Sequence, residues 1–190
     1  MPNGLSQMTL EELWQLFPIF LVEHDQTWQQ QYDEMADTLS ELLAGFQVQR
    51  ISHIGSTAIN SIMAKDIVDI LIELPERANM EAVASKLERA GFIVMSSEGG
   101  RISLNRGYTM DGFADEVFHV HLRYAGDNDE LYFRDYLNDH PEVAREYEAL
   151  KLALWKRYEH NRDAYTEAKT DFIASVTARA KRAYPGRYCR

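Results

Sequence analysis

The chain has 190 residues, of which 45% are hydrophobic, and a formal net charge of −10 at pH 7. This length suits one well-packed domain, and we expect a single domain over 1–190, with an α/β core at about 20–125 and C-terminal helices at about 126–184. The excess of acidic residues argues against a protein whose main role is to hold a long nucleic-acid backbone. A local basic pocket for a nucleotide is compatible with this charge.

The sequence has no apolar run of the roughly 20 residues that a membrane span needs, and its start lacks the basic-then-apolar pattern of a signal peptide. Cys189 is the one cysteine, so no intramolecular disulfide can form. These features predict a cytoplasmic protein without a membrane partner. They leave the oligomeric state open.

Helix and strand patterns alternate through the first two thirds of the chain. A capping box at Thr9–Glu12 predicts a short helix, and apolar residues at helical spacing predict amphipathic helices over 25–46 and 80–90. Strand patterns occur at 46–54, 67–74, 92–95, 101–104 and 116–124. We therefore expect a mixed sheet of about five strands flanked by helices, in which the Ile/Val/Leu-rich strand at 67–74 is buried on both faces.

Beyond Gly126 the apolar residues recur every three or four positions. This spacing predicts three C-terminal helices, over about 128–137, 141–158 and 165–180. The change of period near Gly126 is the best candidate for a boundary within the chain.

The most informative segment is the run His-Ile-Gly-Ser-Thr at 53–57, which ends one apolar strand and is followed by Asp69 inside the next. Gly55 lacks a β-carbon, so an anionic group can approach the backbone amides, and Ser56 adds a hydroxyl donor. Phosphate is the natural ligand of such a turn, and an ordinary strand-ending turn is the alternative. Nucleotidyltransferases place phosphate-binding amides beside a metal-binding acid in this way.

Asp69 lies inside an otherwise apolar strand, where an ionised carboxylate without a partner would cost several kcal/mol. Its partner is a metal ion, a cation or a hydrogen-bond cluster. Lys65, four residues earlier, either forms a structural ion pair with Asp69 or contacts a phosphate.

His119 and His121 lie two residues apart on a predicted strand, so their side chains share one face. Such a pair binds a metal ion or transfers a proton, and we expect His53 to complete the cluster. A structural role is the alternative for each histidine.

Three further cations are candidates for phosphate contacts. Arg106 is predicted in the loop before the histidine strand, and Arg134 lies among aromatic residues at the start of the helical part. Lys169 follows Tyr165 by one helical turn. Solvated or structural charges are the alternative in each case.

Short motifs occur in an order that resembles the GrpB family. They are His-Ile-Gly-Ser-Thr at 53–57, Ala-Lys at 64–65, Ile-Val-Asp-Ile-Leu at 67–71, Arg-Gly at 106–107, His-Val-His-Leu at 119–122, Phe-Arg-Asp-Tyr-Leu at 133–137, His-Pro at 140–141 and Tyr-Glu-Ala-Leu-Lys at 147–151. The resemblance extends from about Phe20 to Ala180. It implies the fold of polymerase-β-type nucleotidyltransferases, whereas the family itself is largely of unknown function.

The chain departs from the pattern that this resemblance implies. Active nucleotidyltransferases usually have two carboxylates spaced Asp-x-Asp on this strand, but Ile67 and Leu71 stand on either side of Asp69. The family usually has Val-Pro-Gly where residues 59–61 are Ile-Asn-Ser, which implies a less rigid loop. His119 and His121 fall on the strand of the third acid, and such a mixed ligand set suits Mn, Zn or Ni better than Mg.

These features together predict a metal-dependent nucleotidyltransferase that acts on a small molecule or a protein acceptor. Its nucleotide, or another phosphorylated small molecule, would bind at Gly55 and Ser56 beside Asp69. Asp69, His119 and His121 would hold a divalent cation (Mg, Mn or Zn), and Lys65 or Arg106 would clamp the phosphates. Two alternatives are a non-catalytic nucleotide-binding or metabolite-binding protein and a metal-dependent hydrolase that uses the histidine pair.

Overall fold

A mixed five-stranded sheet forms the centre of the computed structural model, which describes residues 4–188. Its strands are β1 (Arg50–Ile54), β2 (Val68–Leu74), β3 (Ile93–Glu98), β4 (Arg101–Thr109) and β5 (Gly112–Tyr124), in the spatial order β1-β2-β5-β4-β3. The two central strands, β2 and β5, are parallel, and the other neighbouring pairs are antiparallel. The predicted mixed sheet is confirmed.

Between residues 4 and 188 the chain forms seven α-helices. They are α1 (Leu10–Leu16), α2 (Thr27–Leu42), α3 (Met80–Arg89), α4 (Asp129–Asp139), α5 (Pro141–Tyr158), α6 (Arg162–Glu167) and α7 (Thr170–Ala183). Short 3-10 helices cover Leu5–Gln7 and Ser56–Ala58. The capping box of α1 is confirmed, because the Thr9 hydroxyl accepts from the Glu12 N–H at 3.2 Å and the Glu12 carboxylate accepts from the Thr9 N–H at 2.7 Å.

Two predicted segments differ from the structure. The C-terminal part has four helices instead of three, because the Asn161 side chain caps a new helix by accepting from the Ala164 N–H at 3.0 Å. The predicted loop around Arg106 is part of β4, which continues past a β-bulge between Arg106 and Tyr108. Gly107 makes this possible, since its φ is 94° and a β-carbon would overlap the Glu116 carbonyl.

Side chains alternate along β2 and give the sheet two different faces. Val68, Ile70 and Ile72 pack with Trp28 and Leu39 of α2 in the main apolar core. The residues between them point to the opposite face, under the C-terminal helices, where Leu71 packs against Leu131 of α4. Burial on both faces is thus confirmed for this strand, and its partly buried Asp69 lies on the C-terminal-helix face.

The segment between the Gly-Ser turn and β2 is anchored on both sides. Asn138 of α4 bonds the Asn60 N–H at 2.9 Å and the Ala58 carbonyl at 3.0 Å. Glu148 accepts from the Met63 N–H at 2.5 Å, and the Lys151 ammonium donates to the Met63 carbonyl. Side chains of α4 and α5 therefore hydrogen-bond the backbone of this segment at residues 58, 60 and 63.

None of the helices within residues 4–188 combines the length and the apolar character needed to cross a membrane. Cys189 and residues 1–3, on which the disulfide and signal-peptide predictions depend, lie outside the described residues.

Candidate functional site

Asp69, His119 and His121 come together at the centre of the sheet. The parallel register places Asp69 beside His119 and Leu71 beside His121. Asp69 Oδ1 lies 3.1 Å from His119 Nδ1 and 3.4 Å from His121 Nε2. One oxygen and two nitrogen atoms thus lie within 4.8 Å of one another, a donor set that fits a divalent transition-metal ion.

The contacts within this cluster fix its charge state. Burial disfavours the charged form of Asp69, but the hydrogen bonds from His119 and His121 outweigh it and hold the pKa of this carboxyl well below its usual range. Burial lowers the pKa of His119 to about 4, although the Asp69 carboxylate opposes the shift. At pH 7, Asp69 is therefore ionised and His119 is neutral, which is the state in which imidazole binds metals.

Gly55 places the turn after β1 directly against Asp69. Its φ is 74°, a conformation that favours glycine, and a β-carbon there would overlap the Asp69 carboxylate. Ser56 begins the short 3-10 helix that follows, and its hydroxyl hydrogen-bonds Tyr147 of α5. The backbone of the turn therefore lies so close to the Asp69 carboxylate that no β-carbon fits between them.

A cavity of about 720 Å³ opens beside Asp69, between the sheet and the C-terminal helices. This volume lies within the range of small-molecule sites. The residues that line it include Gly55, Ser56, Lys65, Asp69, Tyr165 and Lys169. The predicted turn, acid and two of the predicted lysines therefore share one space.

The cavity is rich in cations. Burial lowers the pKa of Lys65 to about 7, and the positive charges of Arg162 and Lys169 lower it further. Burial also lowers the pKa of Lys169 to about 8, and its ammonium lies 4.2 Å from the centre of the Tyr165 ring. The Asp69 carboxylate raises the pKa of both lysines but does not outweigh their burial, so an anionic ligand would favour their charged forms further.

His53 is not part of the cluster, and the expectation that it completes the ligand set is wrong. It pairs with Ile70 across the sheet, so its ring lies on the α2 face, opposite Asp69. There it stacks on Tyr32 at 4.8 Å, and its Nε2 lies 3.0 Å from the Thr57 hydroxyl. The antiparallel register of β1 against β2 decides this placement.

The two arginines predicted to contact phosphate are also engaged elsewhere. Arg106 is exposed on the α3 face, 5.7 Å from the centre of the Phe92 ring. Arg134 donates to the Asp135 carboxylate at 2.7 and 2.9 Å and to the His53 carbonyl at 2.7 Å. Neither side chain lines the cavity, so the structure contradicts both assignments.

Sequence reasoning missed several residues around the cluster. Tyr108 and Ser103 contact the far ring nitrogens of the two histidines, and Arg162 contacts Tyr108. Lys151 belongs to a family motif at 147–151 but is 2% exposed and bound to a carbonyl. No sequence signal marks Ser103, because its position opposite His121 follows from the register of β4 against β5.

Comparison with the sequences of known proteins supports the family resemblance that the motifs indicate. The family model described as GrpB protein matches residues 18–179. The glutamate-rich protein GrpB of Alkalihalophilus pseudofirmus is 33% identical over 168 residues, covering 83% of this chain and 93% of that protein. YqkA of Bacillus subtilis is 31% identical over 188 residues, and the chain spans 54% of its length.

Similar solved structures extend the comparison to the fold. GrpB from Enterococcus faecalis matches with a TM-score of 0.75 and 27% identity, over 87% of this chain and 99% of that one. A chain of the GLD-2/RNP-8 complex matches with a TM-score of 0.54 at 13% identity, over 96% of this chain and 73% of that one, a likeness of fold alone. The sheet and its helices thus share their overall fold with both structures. With its motifs, its family match and its structural likeness in agreement, the chain belongs to the GrpB family.

Proposed function

We propose that this protein is a metal-dependent nucleotidyltransferase that binds a nucleotide, or a related phosphate compound, in the cavity beside Asp69. The observation that carries the proposal is the convergence of three features on one space. They are the glycine-serine turn, the pair of Lys65 and Lys169, and Asp69, whose carboxylate lines the cavity and also contacts the two imidazoles behind it.

Asp69, His119 and His121 would hold the metal ion. Their two nitrogen donors favour Mn, Zn or Ni over Mg, which prefers oxygen ligands. When bound, such an ion neutralises charge that develops on a transferred phosphoryl group. Leu71, which stands where a second acid would lie, is fully buried in an apolar contact and supplies no ligand.

The phosphates would lie between the turn and the lysines. Gly55, Ser56, Lys65 and Lys169 all line the cavity that would hold them. Lys151 is not assigned to the ligand, because its ammonium donates to the Met63 carbonyl and so holds the segment that carries Lys65. The acceptor would be a small molecule or a protein.

The buried Leu71 also favours a second candidate, a non-catalytic nucleotide-binding or metabolite-binding protein. A site that keeps the turn and the lysines but lacks the second acid retains the means to bind phosphate. This candidate predicts saturable nucleotide binding with no turnover in any metal. A hydrolase that uses the histidine pair predicts hydrolysis without transfer to an acceptor.

The test is a calorimetric titration of nucleoside triphosphates with Mn, Zn or Mg, followed by a transfer assay with labelled nucleotide and candidate acceptors. We expect Asp69→Asn to abolish the metal dependence of binding and Lys169→Met to weaken binding at least tenfold, as the loss of a charge-assisted contact predicts. Lys156→Met is the matched control, because Lys156 is exposed on α5 and does not line the cavity. Metal binding and turnover that survive in Asp69→Asn would refute the assignment.

A further inference from the structure

Each histidine of the cluster has its far ring nitrogen held by a hydroxyl group. His119 Nε2 lies 2.9 Å from the Tyr108 hydroxyl, and His121 Nδ1 lies 3.3 Å from the Ser103 hydroxyl. Both hydroxyls come from β4, whose antiparallel register sets Ser103 directly opposite His121. The remaining nitrogen of each ring therefore faces Asp69.

Tyr108 is itself fixed from two sides. Its ring is 8% exposed and packs at 4.7 Å from the Phe17 ring and 5.2 Å from the Phe113 ring. Arg162 of α6 donates to its hydroxyl oxygen at 2.9 Å, and the same guanidinium nitrogen lies 3.4 Å from His119 Nε2. Since a guanidinium only donates, the tyrosine proton stays free to point at His119 Nε2.

We infer that Tyr108 and Ser103 are positioning residues, which fix the ring nitrogen that His119 and His121 each present to Asp69. The inference rests on the proposed metal centre and adds the groups that build it. Neither hydroxyl touches the space between the three ligand atoms, so both act through the rings that they hold.

A metal-binding imidazole needs such contacts because its ring can adopt two orientations. Rotation of a histidine ring about its bond to Cβ (the χ2 torsion) has a broad, roughly two-fold energy profile. A ring rotated by about 180° therefore fits the same space. That rotation would replace a nitrogen facing Asp69 with a carbon and remove a ligand. A hydrogen bond to the far nitrogen makes the two orientations unequal, as groups around metal-binding histidines commonly do.

A hydroxyl suits this task because it serves both proton positions of the ring. Without a metal, His119 carries its proton on Nδ1, donates it to Asp69, and accepts from Tyr108 at Nε2. If a metal ion bound Nδ1, the proton would lie on Nε2, and the Tyr108 oxygen would accept it once the tyrosine's own proton had turned away from the ring. The ring therefore keeps its orientation in both states.

The inference is tested by Zn affinity, measured by competition with a chromophoric chelator, in the wild type, Tyr108→Phe and Ser103→Ala. Tyr32→Phe is the matched control, because Tyr32 is also a partly buried tyrosine that stacks on a histidine, His53, outside the cluster. We expect each positioning variant to bind Zn about 10-fold to 100-fold more weakly, the usual effect of losing such a contact. The control should stay within about twofold of the wild type, a factor below 1 kcal/mol.

A second readout uses the metal-free protein, so that the inference and the metal centre can fail separately. Nitrogen-15 NMR of the histidine rings should show one tautomer for His119 in the wild type and a mixture in Tyr108→Phe. Wild-type protein that binds no Zn would overturn the metal centre alone, and the NMR spectra would then decide the inference. Unchanged His119 signals in Tyr108→Phe, or Zn affinities equal to that of the control, would overturn the positioning role.

Discussion

Nucleotide binding should take up protons near neutral pH, because the lysines of the cavity have lowered pKa values. Lys65 has a pKa of about 7 and Lys169 a pKa of about 8 in the ligand-free protein. A bound phosphate favours the charged form of each and raises both values toward the ordinary pKa of about 10.4. At pH 7.5 roughly three quarters of Lys65 and one quarter of Lys169 are neutral on these values, so binding takes up about one proton.

The same two pKa values give the sign and size of the pH dependence of nucleotide affinity. Above pH 7 the neutral fraction of both lysines grows, so nucleotide affinity must fall as the pH rises. Between pH 7 and pH 8 the loss is about fivefold from Lys65 and about twofold from Lys169, or about tenfold together. Lys65→Met should reduce the proton uptake at pH 7.5 to roughly a quarter of a proton.

The assay is isothermal titration calorimetry at pH 7.5 in buffers that differ in ionisation enthalpy. The slope of the observed binding enthalpy against the buffer's ionisation enthalpy gives the number of protons taken up on binding. The nucleotide's own titration, measured without protein, is subtracted. Lys156→Met, which changes an exposed lysine, should retain the full uptake. Binding that releases protons, or that is as tight at pH 8 as at pH 7, would refute the reasoning.

Three further predictions concern the framework of the site. Gly55→Ala should lower the free energy of unfolding by more than about 1 kcal/mol, because it combines a left-handed φ with overlap of the Asp69 carboxylate; a urea titration with no shift in midpoint would contradict this. Leu71→Ala should cost about 2–5 kcal/mol, since this fully buried side chain packs against Ile54 and Leu131, and a cost below 1 kcal/mol in the same titration would refute the packing argument. Asn138→Ala removes two hydrogen bonds to residues 58 and 60. It should lower stability by about 1–2 kcal/mol and speed amide exchange near residue 60, so unchanged exchange there would count against anchoring by α4.

Strand periodicity was enough to predict the centre of the site. The apolar run around Asp69 and the two-residue spacing of His119 and His121 each specify a strand and a face. The parallel pairing of β2 with β5 then brings the three side chains together. The strand patterns at 67–74 and 116–124 were therefore sufficient for the acid–histidine cluster.

The site predictions that were wrong depend on how strands and helices pair and pack with one another. His53 lies on the wrong face because the register of β1 pairs it with Ile70, and no pattern within β1 reveals that register. Arg106 lies outside the cavity because it pairs with Phe118 in β5, on the face of the sheet opposite Asp69. Arg162 reaches the cluster through the packing of a six-residue helix against the sheet, which has no signal in the spacing of residues.

The most direct test of the account is anomalous X-ray diffraction from crystals grown with Mn or Zn and a non-hydrolysable nucleoside triphosphate. We predict one anomalous peak bounded by Asp69, His119 and His121, with the phosphates between that peak and the ammonium groups of Lys65 and Lys169. A nucleotide bound away from the Gly55 turn, or no anomalous peak at the three ligand atoms, would contradict the proposed function.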